Sequence, residues 1–259
     1  MLPSINSLAR TKGLLDMPGE RTSHKKKTPR FGGVSLFLSI WICSLFFFDN
    51  NDMYILRFVL LSSIIIFAIG LRDDIIPIPP NLKFAIQLIC AAIIVYSGLG
   101  INDLYGVLGI TTINSTLAMI ITILFIVYTI NAINLIDGID GLLIILSIIA
   151  FFIFGIFFTI RGFYNWGILC GSAIGSLFTI LHFNIFGRKN KTFLGDCGSL
   201  LLGLLITSVA LKFYQLCSPY NTAVFLNIKP IPVVLSVLIV PLFDTARVFL
   251  LRLIYKMPY

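Results

Sequence analysis

Of the eleven acidic residues in this 259-residue chain, five sit in three short polar blocks whose residue types suit chemistry on phosphates. The first block, GLRDDIIPIPPNLKF at 70–84, ends an apolar run in the adjacent pair Asp73 and Asp74. Neighbouring carboxylates repel, and unless a cation such as Arg72 compensates them the pair is suited to metal binding or to proton transfer near neutral pH. Pro77, Pro79 and Pro80 are expected to hold the next segment out of helix. Lys83 then opens another apolar run, where it either reaches a phosphate or anchors the span end. The second block, NAINLIDGIDGLL at 131–143, repeats Asn131, Asn134, Asp137 and Asp140 at every third position. In a helix each such step falls about 60° short of a full turn, so neighbours in the row touch while its ends diverge. Gly138 and Gly141 predict a break that lets the polar groups converge and brings backbone close to a ligand. The pattern is no calcium loop, because the alternating oxygen ligands and terminal Glu of an EF-hand are missing. In the third block, FLGDCGSLLLG at 193–203, Gly195, Gly198 and Ser199 surround Asp196 at the start of an apolar run. A helix start here would offer unpaired N–H groups to phosphate oxygens; the plainer alternative is capping by Asp196. Upstream, GLLDMPGERTSHKKKTPRFGG at 13–33 adds Arg21, His24 and Arg30, of which the arginine forks suit phosphate. Lys25, Lys26 and Lys27 read as topology determinants.

These blocks must be held by elements that the composition identifies. Residues of hydrophobic type make up 58% of the chain against 12% charged, Phe alone contributes 23, and mean hydropathy is +1.00. That balance excludes a soluble enzyme, a secreted disulfide module and a disordered tail. Five scattered cysteines without C-x-x-C spacing read as apolar filler, and His182 reads as a packed or internally hydrogen-bonded residue. The formal net charge of +8 points to topology and to anionic headgroups or phosphates, with no nucleic-acid partner. A span needs roughly 20 apolar residues, and eight are found, at 31–48, 53–71, 84–101, 115–136, 141–160, 166–186, 199–217 and 231–251. The expectation is an all-α polytopic membrane bundle, one domain over 1–259, with 1–30 as a basic cytosolic loop. No cleavable signal precedes the first span, which is expected to act as its own targeting signal. Seven basic residues precede that span, which predicts that both termini are cytosolic. The threading puts fifteen of the 19 basic residues on or near the cytosolic face. It also gathers Asp73, Asp74, Asp137, Asp140, Asp196 and Asp244 there, leaving Asp49, Asp52 and Asp103 outside. Carboxylates converging at span ends suggest a cation site. Mg²⁺ fits best, because it takes one or two carboxylates together with substrate phosphates.

Taken in order, the four blocks resemble the polyprenyl-phosphate N-acetylhexosamine-1-phosphate transferases. This integral membrane family includes initiating enzymes of O-antigen, enterobacterial common antigen and teichoic acid, and the phospho-N-acetylmuramoyl-pentapeptide transferase. The loop D-M-P-G-E-R-T-S-H…T-P-R-F-G-G looks most like the O-antigen-type members. The resemblance implies a multi-pass protein of the bacterial inner membrane with its active face cytosolic. It would transfer a HexNAc-1-phosphate from a UDP-HexNAc to undecaprenyl phosphate, releasing UMP and initiating a lipid-linked envelope glycan. It matches Asp73 and Asp74 to the family's acid pair, Asn134, Asp137 and Asp140 to its Asn/Asp-Gly-x-Asp-Gly block, and Asp196 to its metal-binding Gly–Asp. On that basis Asp196 and Asn134 are expected to hold Mg²⁺, and Asp73, Asp74, Asp137 and Asp140 to form the catalytic group. Arg21, His24, Arg30 and Lys83 are expected to hold phosphates. Membrane lipid surrounds the bundle, and a homodimer is compatible with the reading. Family members usually carry one more span before the His24 loop and a His-rich motif after the span ending near Arg252. The chain is therefore expected to be a fragment or a degraded copy, with little or no activity as it stands. Two rivals are an ion-coupled transporter and an inactive transferase remnant.

Overall fold

The computed structural model describes residues 32–49, 53–107, 109–187, 192–217 and 229–255. Within them the chain forms helices α1 (Gly32–Phe47), α2 (Met53–Ile75) and α3 (Pro80–Tyr96), then the antiparallel strands β1 (Asp103–Val107) and β2 (Ile110–Thr112). Helices α4 (Ser115–Ile136), α5 (Leu142–Ile160), α6 (Tyr164–Ile185), α7 (Gly195–Leu216) and α8 (Pro230–Tyr255) follow. Each expected span coincides with one helix. Six of the eight are long and apolar enough to cross a membrane, while α1 and α3 are shorter apolar helices of 16 and 17 residues.

Five boundaries differ from the sequence reading by four residues or more, two of them the start of α7 at Gly195 and the end of α8 at Tyr255. Helix α2 continues through the acid pair to Ile75. Helix α3 begins at Pro80, whose missing N–H costs nothing in the first turn and whose ring presets the helical φ. It also stops at Tyr96, and Gly98, at a φ of +95°, turns the chain out toward the β1–β2 hairpin, an element the apolar pattern did not announce.

Helix α7 is the hub. All of its residues except Asp196 and Gln215 are buried, and it packs against α1, α2, α4, α5 and α8. Glycines permit the closeness: a Cβ on Gly70 of α2 would lie 2.6 Å from the Cys197 Cα, and one on Gly203 would lie 2.8 Å from the Ile130 Cα. In lipid, where helices gain no hydrophobic drive from packing on each other, such backbone approach supplies the dispersion contact. The surrounding helices turn Phe46, Leu124, Phe152, Ile160, Phe243 and Leu250 outward, a surface suited to hydrocarbon and unsuited to water.

At one end of the bundle the C-termini of α2 and α4 meet the N-termini of α3 and α7. Helix α1 is tied to the same end, since the Gly32 and Gly33 N–H groups donate to the Phe193 and Leu194 carbonyls at 2.9 Å each. At the opposite end the Asn165 amide clamps the Asp49 backbone, accepting at 2.9 Å and donating at 2.8 Å, and the Lys212 ammonium lies 5.5 Å from the Phe163 ring centroid. Asp49 and Asp103 thus stand away from the polar blocks as expected, and Asp52 lies outside the described residues. All five cysteines are free and four are buried, with Cys43 exposed. His182 is not packed as expected: it lies exposed on α6, its ring edge-on to Phe183 at 5.5 Å.

Candidate active site

Four helix ends deliver the polar side chains to one cluster. Lys83, in the first turn of α3, donates to Asp73 Oδ2 at 3.0 Å and to Asp196 Oδ2 at 2.8 Å. The cation that compensates Asp73 is therefore Lys83, reaching back across the proline turn, in the place the sequence suggested for Arg72. Asp73 Oδ1 accepts from the Ile78 N–H at 2.8 Å, which folds the proline segment against the end of α2. From α4, Asn134 Nδ2 donates to Asp196 Oδ1 at 3.0 Å and to Ser199 Oγ at 2.7 Å. Asp196 is thus held from both sides while its side chain keeps 37% exposure, against 12% for Asp73. Of the two acids on Lys83, Asp196 is the one open to a ligand.

Asp74 bonds none of these side chains and reaches the backbone behind them. Its Oδ1 and Oδ2 accept from the Asp196 N–H at 2.8 Å and the Cys197 N–H at 3.0 Å. A carboxylate from α2 therefore caps the N-terminus of α7, where unpaired donors and the helix dipole favour negative charge. The α7 start is therefore only partly open to a phosphate, because the N–H groups of Asp196 and Cys197 are taken by Asp74. Capping by Asp196 itself is corrected, since Asp196 is capped rather than capping.

Asp137 and Asp140 follow in the turn joining α4 to α5. The Asp137 N–H bonds to the Asn134 carbonyl at 3.3 Å, and Gly141, at a φ of +75°, starts α5, so the helix breaks where the glycines predicted. Asp137 is half-buried and Asp140 exposed, placing them on the rim beside Asn134. Asp244 lies on α8 and pairs with Arg247 one turn away at 2.8 Å. Between this α8 segment and the α4–α5 turn runs a groove of about 500 Å³, walled by Leu135, Ile139, Ile239 and Phe243 and edged by Asp244 and Arg247. Arg21, His24 and Arg30 lie outside the described residues.

Among the described residues no three His, Cys, Asp or Glu side chains converge as a metal cage. The donors present are of a different kind: an accessible carboxylate on Asp196 and the Asn134 carboxamide, whose carbonyl oxygen is not spent in its two donor bonds. That hard-oxygen set fits an ion that draws its remaining ligands from water and phosphate.

Two partners were missed by the sequence reading. Ser199 was assigned a backbone role, yet its hydroxyl accepts from Asn134. Gln87, a lone amide one turn after Lys83 in an apolar helix, pairs with Asn131; its isolation among apolar residues was the available signal.

The sequence of residues 56–214 matches the model of the family described as Glycosyl transferase family 4. Over 91% of its length the chain is 35% identical to the Haemophilus influenzae protein named undecaprenyl-phosphate alpha-N-acetylglucosaminyl 1-phosphate transferase, covering 68% of that protein. Over 99% of its length it is 31% identical to a Bacillus subtilis protein named as a probable undecaprenyl-phosphate N-acetylglucosaminyl 1-phosphate transferase, covering 69%. A Mycobacterium leprae relative, 29% identical over 88% of the chain and covered to 62%, is named decaprenyl-phosphate N-acetylglucosaminephosphotransferase.

Proposed function

Since the chain belongs to glycosyl transferase family 4, we propose that it transfers a HexNAc-1-phosphate from a UDP-HexNAc to undecaprenyl phosphate. The observation that carries this reading is the convergence of Asp73, Lys83, Asn134 and Asp196 from four helix ends at one end of a membrane bundle. The relatives' names support the acceptor and the sugar class. The apolar groove between α8 and the α4–α5 turn supports it too, because it lies beside Asn134 and can take an isoprenoid chain while leaving its phosphate at the polar end. A carrier would place its ionisable groups near the bilayer midplane, and here they sit at helix ends.

In this reading an oxygen of the lipid phosphate forms a new bond to the β-phosphorus of the nucleotide sugar. The bond from that phosphorus to the oxygen bridging to the α-phosphorus breaks, and UMP leaves with the electron pair. The nucleophile is already anionic, so positioning and charge stabilisation outweigh deprotonation. Asp196 and Asn134 supply the oxygens that would hold Mg²⁺, and the ion when bound would neutralise diphosphate charge. Lys83 supplies a fixed positive charge shared by Asp73 and Asp196, available to phosphoryl oxygens as charge spreads. Asp74 keeps Asp196 in place through its backbone, and Asp137 and Asp140 belong to the α4–α5 turn whose Gly138 and Ile139 border the acceptor groove. Arg21, His24 and Arg30 belong to the segment that leads into Gly32, and Gly32 is bonded to Phe193, three residues from Asp196; this supports their role in holding phosphates. The positive-inside pattern supports a cytosolic active face at the bacterial inner membrane. The test is UMP release by detergent-purified protein given Mg²⁺, undecaprenyl phosphate and a panel of UDP-HexNAc donors. UMP formation that requires both lipid and nucleotide sugar supports the assignment, and release without lipid refutes it.

A further inference from the structure

One turn beneath the Lys83–Asp196–Asn134 cluster lies a second polar rung, with Gln87 buried and Asn131 half-buried, that holds no reacting group. Gln87, 1% exposed, follows Lys83 by four residues on α3; Asn131 precedes Asn134 by three on α4. The helices run in opposite directions, so both positions lie one turn below their partners in the cluster. The two carboxamides bond reciprocally: Gln87 Nε2 donates to Asn131 Oδ1 at 3.2 Å, and Asn131 Nδ2 donates to Gln87 Oε1 at 2.7 Å. The second hydrogen of Asn131 Nδ2 goes to the Val127 carbonyl of its own helix at 2.8 Å. That third bond fixes which way the Asn131 amide faces. The reciprocal pair then fixes Gln87, because flipping either amide would set nitrogen against nitrogen and oxygen against oxygen.

Two apolar side chains would fill this space without the cost of burying four polar atoms. What an amide pair adds is register, since it closes at one axial offset of α3 against α4, whereas apolar contacts tolerate sliding by fractions of a turn. Lys83 and Asn134 need that offset, because they approach the same carboxylate from different helices, Lys83 on Oδ2 and Asn134 on Oδ1. We propose that Gln87 and Asn131 are positioning residues that set the height of α3 against α4, so that Lys83 and Asn134 meet on Asp196. Neither touches substrate. The consequence for turnover rests on the transferase reading above; the geometric claim does not.

The test separates the two. In the full chain, Gln87→Met and Asn131→Leu remove the pair at similar volume, and Ile94→Ala opens a cavity lower on α3 as a control for general loosening. Lys83 labelling by an amine-reactive ester, read by mass spectrometry, reports whether its ammonium stays engaged. Labelling is expected to rise about threefold or more in both amide variants, and the UMP-release kcat to fall about tenfold or more with little change in KM for the nucleotide sugar, since a displacement of about 1 Å suffices. An Ile94→Ala protein of equally lowered thermal stability is expected to keep wild-type labelling. Unchanged Lys83 labelling in both amide variants, or an equal rise in Ile94→Ala, overturns the positioning claim. A wild type that releases no UMP but shows the labelling contrast sinks the transferase reading and leaves the pair's role standing.

Discussion

The Asp74 carboxylate of α2 accepts the backbone N–H of Asp196 at 2.8 Å and, with its other oxygen, that of Cys197 at 3.0 Å. Two adjacent acids therefore divide their work. Asp74 joins the end of one helix to the start of another, and Asp73 pairs with Lys83. Consecutive positions on a helix project about 100° apart, so at the end of α2 each acid meets its own positive partner: an ammonium for Asp73, a helix N-terminus for Asp74.

Removing the α7 cap should cost stability as well as activity. Asp74→Ala leaves two donors without their acceptor and is expected to destabilise the protein by about 1–2 kcal/mol, whereas Asp74→Asn retains one acceptor oxygen and should lose roughly half of that. Thermal unfolding in detergent compares them. Equal stability of Asp74→Ala and wild type would show that the cap is supplied elsewhere.

Close packing of α2 on α7 makes a second prediction. A Cβ at Gly70 would sit 2.6 Å from the Cys197 Cα, backbone that cannot rotate aside, while a Cβ at Gly171 of α6 meets nothing within 4 Å. Gly70→Ala is expected to cost about 1–3 kcal/mol through overpacking, and Gly171→Ala to stay within about 0.5 kcal/mol of wild type. Melting temperatures of the two proteins, measured together, should rank them in that order.

The positions of the eight helices were legible because apolar runs of span length have few other readings. So was the gathering of Asp73, Asp74, Asn134 and Asp196 at one end, which follows once the spans alternate. The partner of each side chain was not. Sequence reports the depth of Lys83 in the membrane but not that the proline turn lets it fold back on Asp73, and it marks Asp74 as an acid without revealing that α7 begins against it. Asn131 was visible in the every-third-residue row, yet its partner Gln87 comes from another helix, and a lone amide among apolar residues has no period to betray it. The β1–β2 hairpin escaped for a related reason: residues 103–112 are too few and too mixed to outweigh the apolar pattern around them.

Sidedness gives a third prediction. On a background lacking the five native cysteines, Gly138→Cys places a thiol at the active-site end and Asn102→Cys at the other, both at exposed positions. An impermeant thiol reagent applied to intact cells is expected to label Asn102→Cys and to spare Gly138→Cys until the membrane is opened. Labelling in the reverse order would put the site on the outer face and out of reach of a cytosolic nucleotide sugar.

The measurement closest to the central claim is UMP release by Asp196→Asn protein at limiting Mg²⁺, with undecaprenyl phosphate and the UDP-HexNAc that wild type prefers. The substitution keeps the size of the side chain and an oxygen for Asn134, and removes the one exposed carboxylate of the cluster. Turnover is predicted to fall at least ~100-fold, a loss of about 3 kcal/mol or more of transition-state stabilisation. Turnover close to wild type would contradict the account, because it would leave the cluster as helix-end packing and put the chemistry elsewhere.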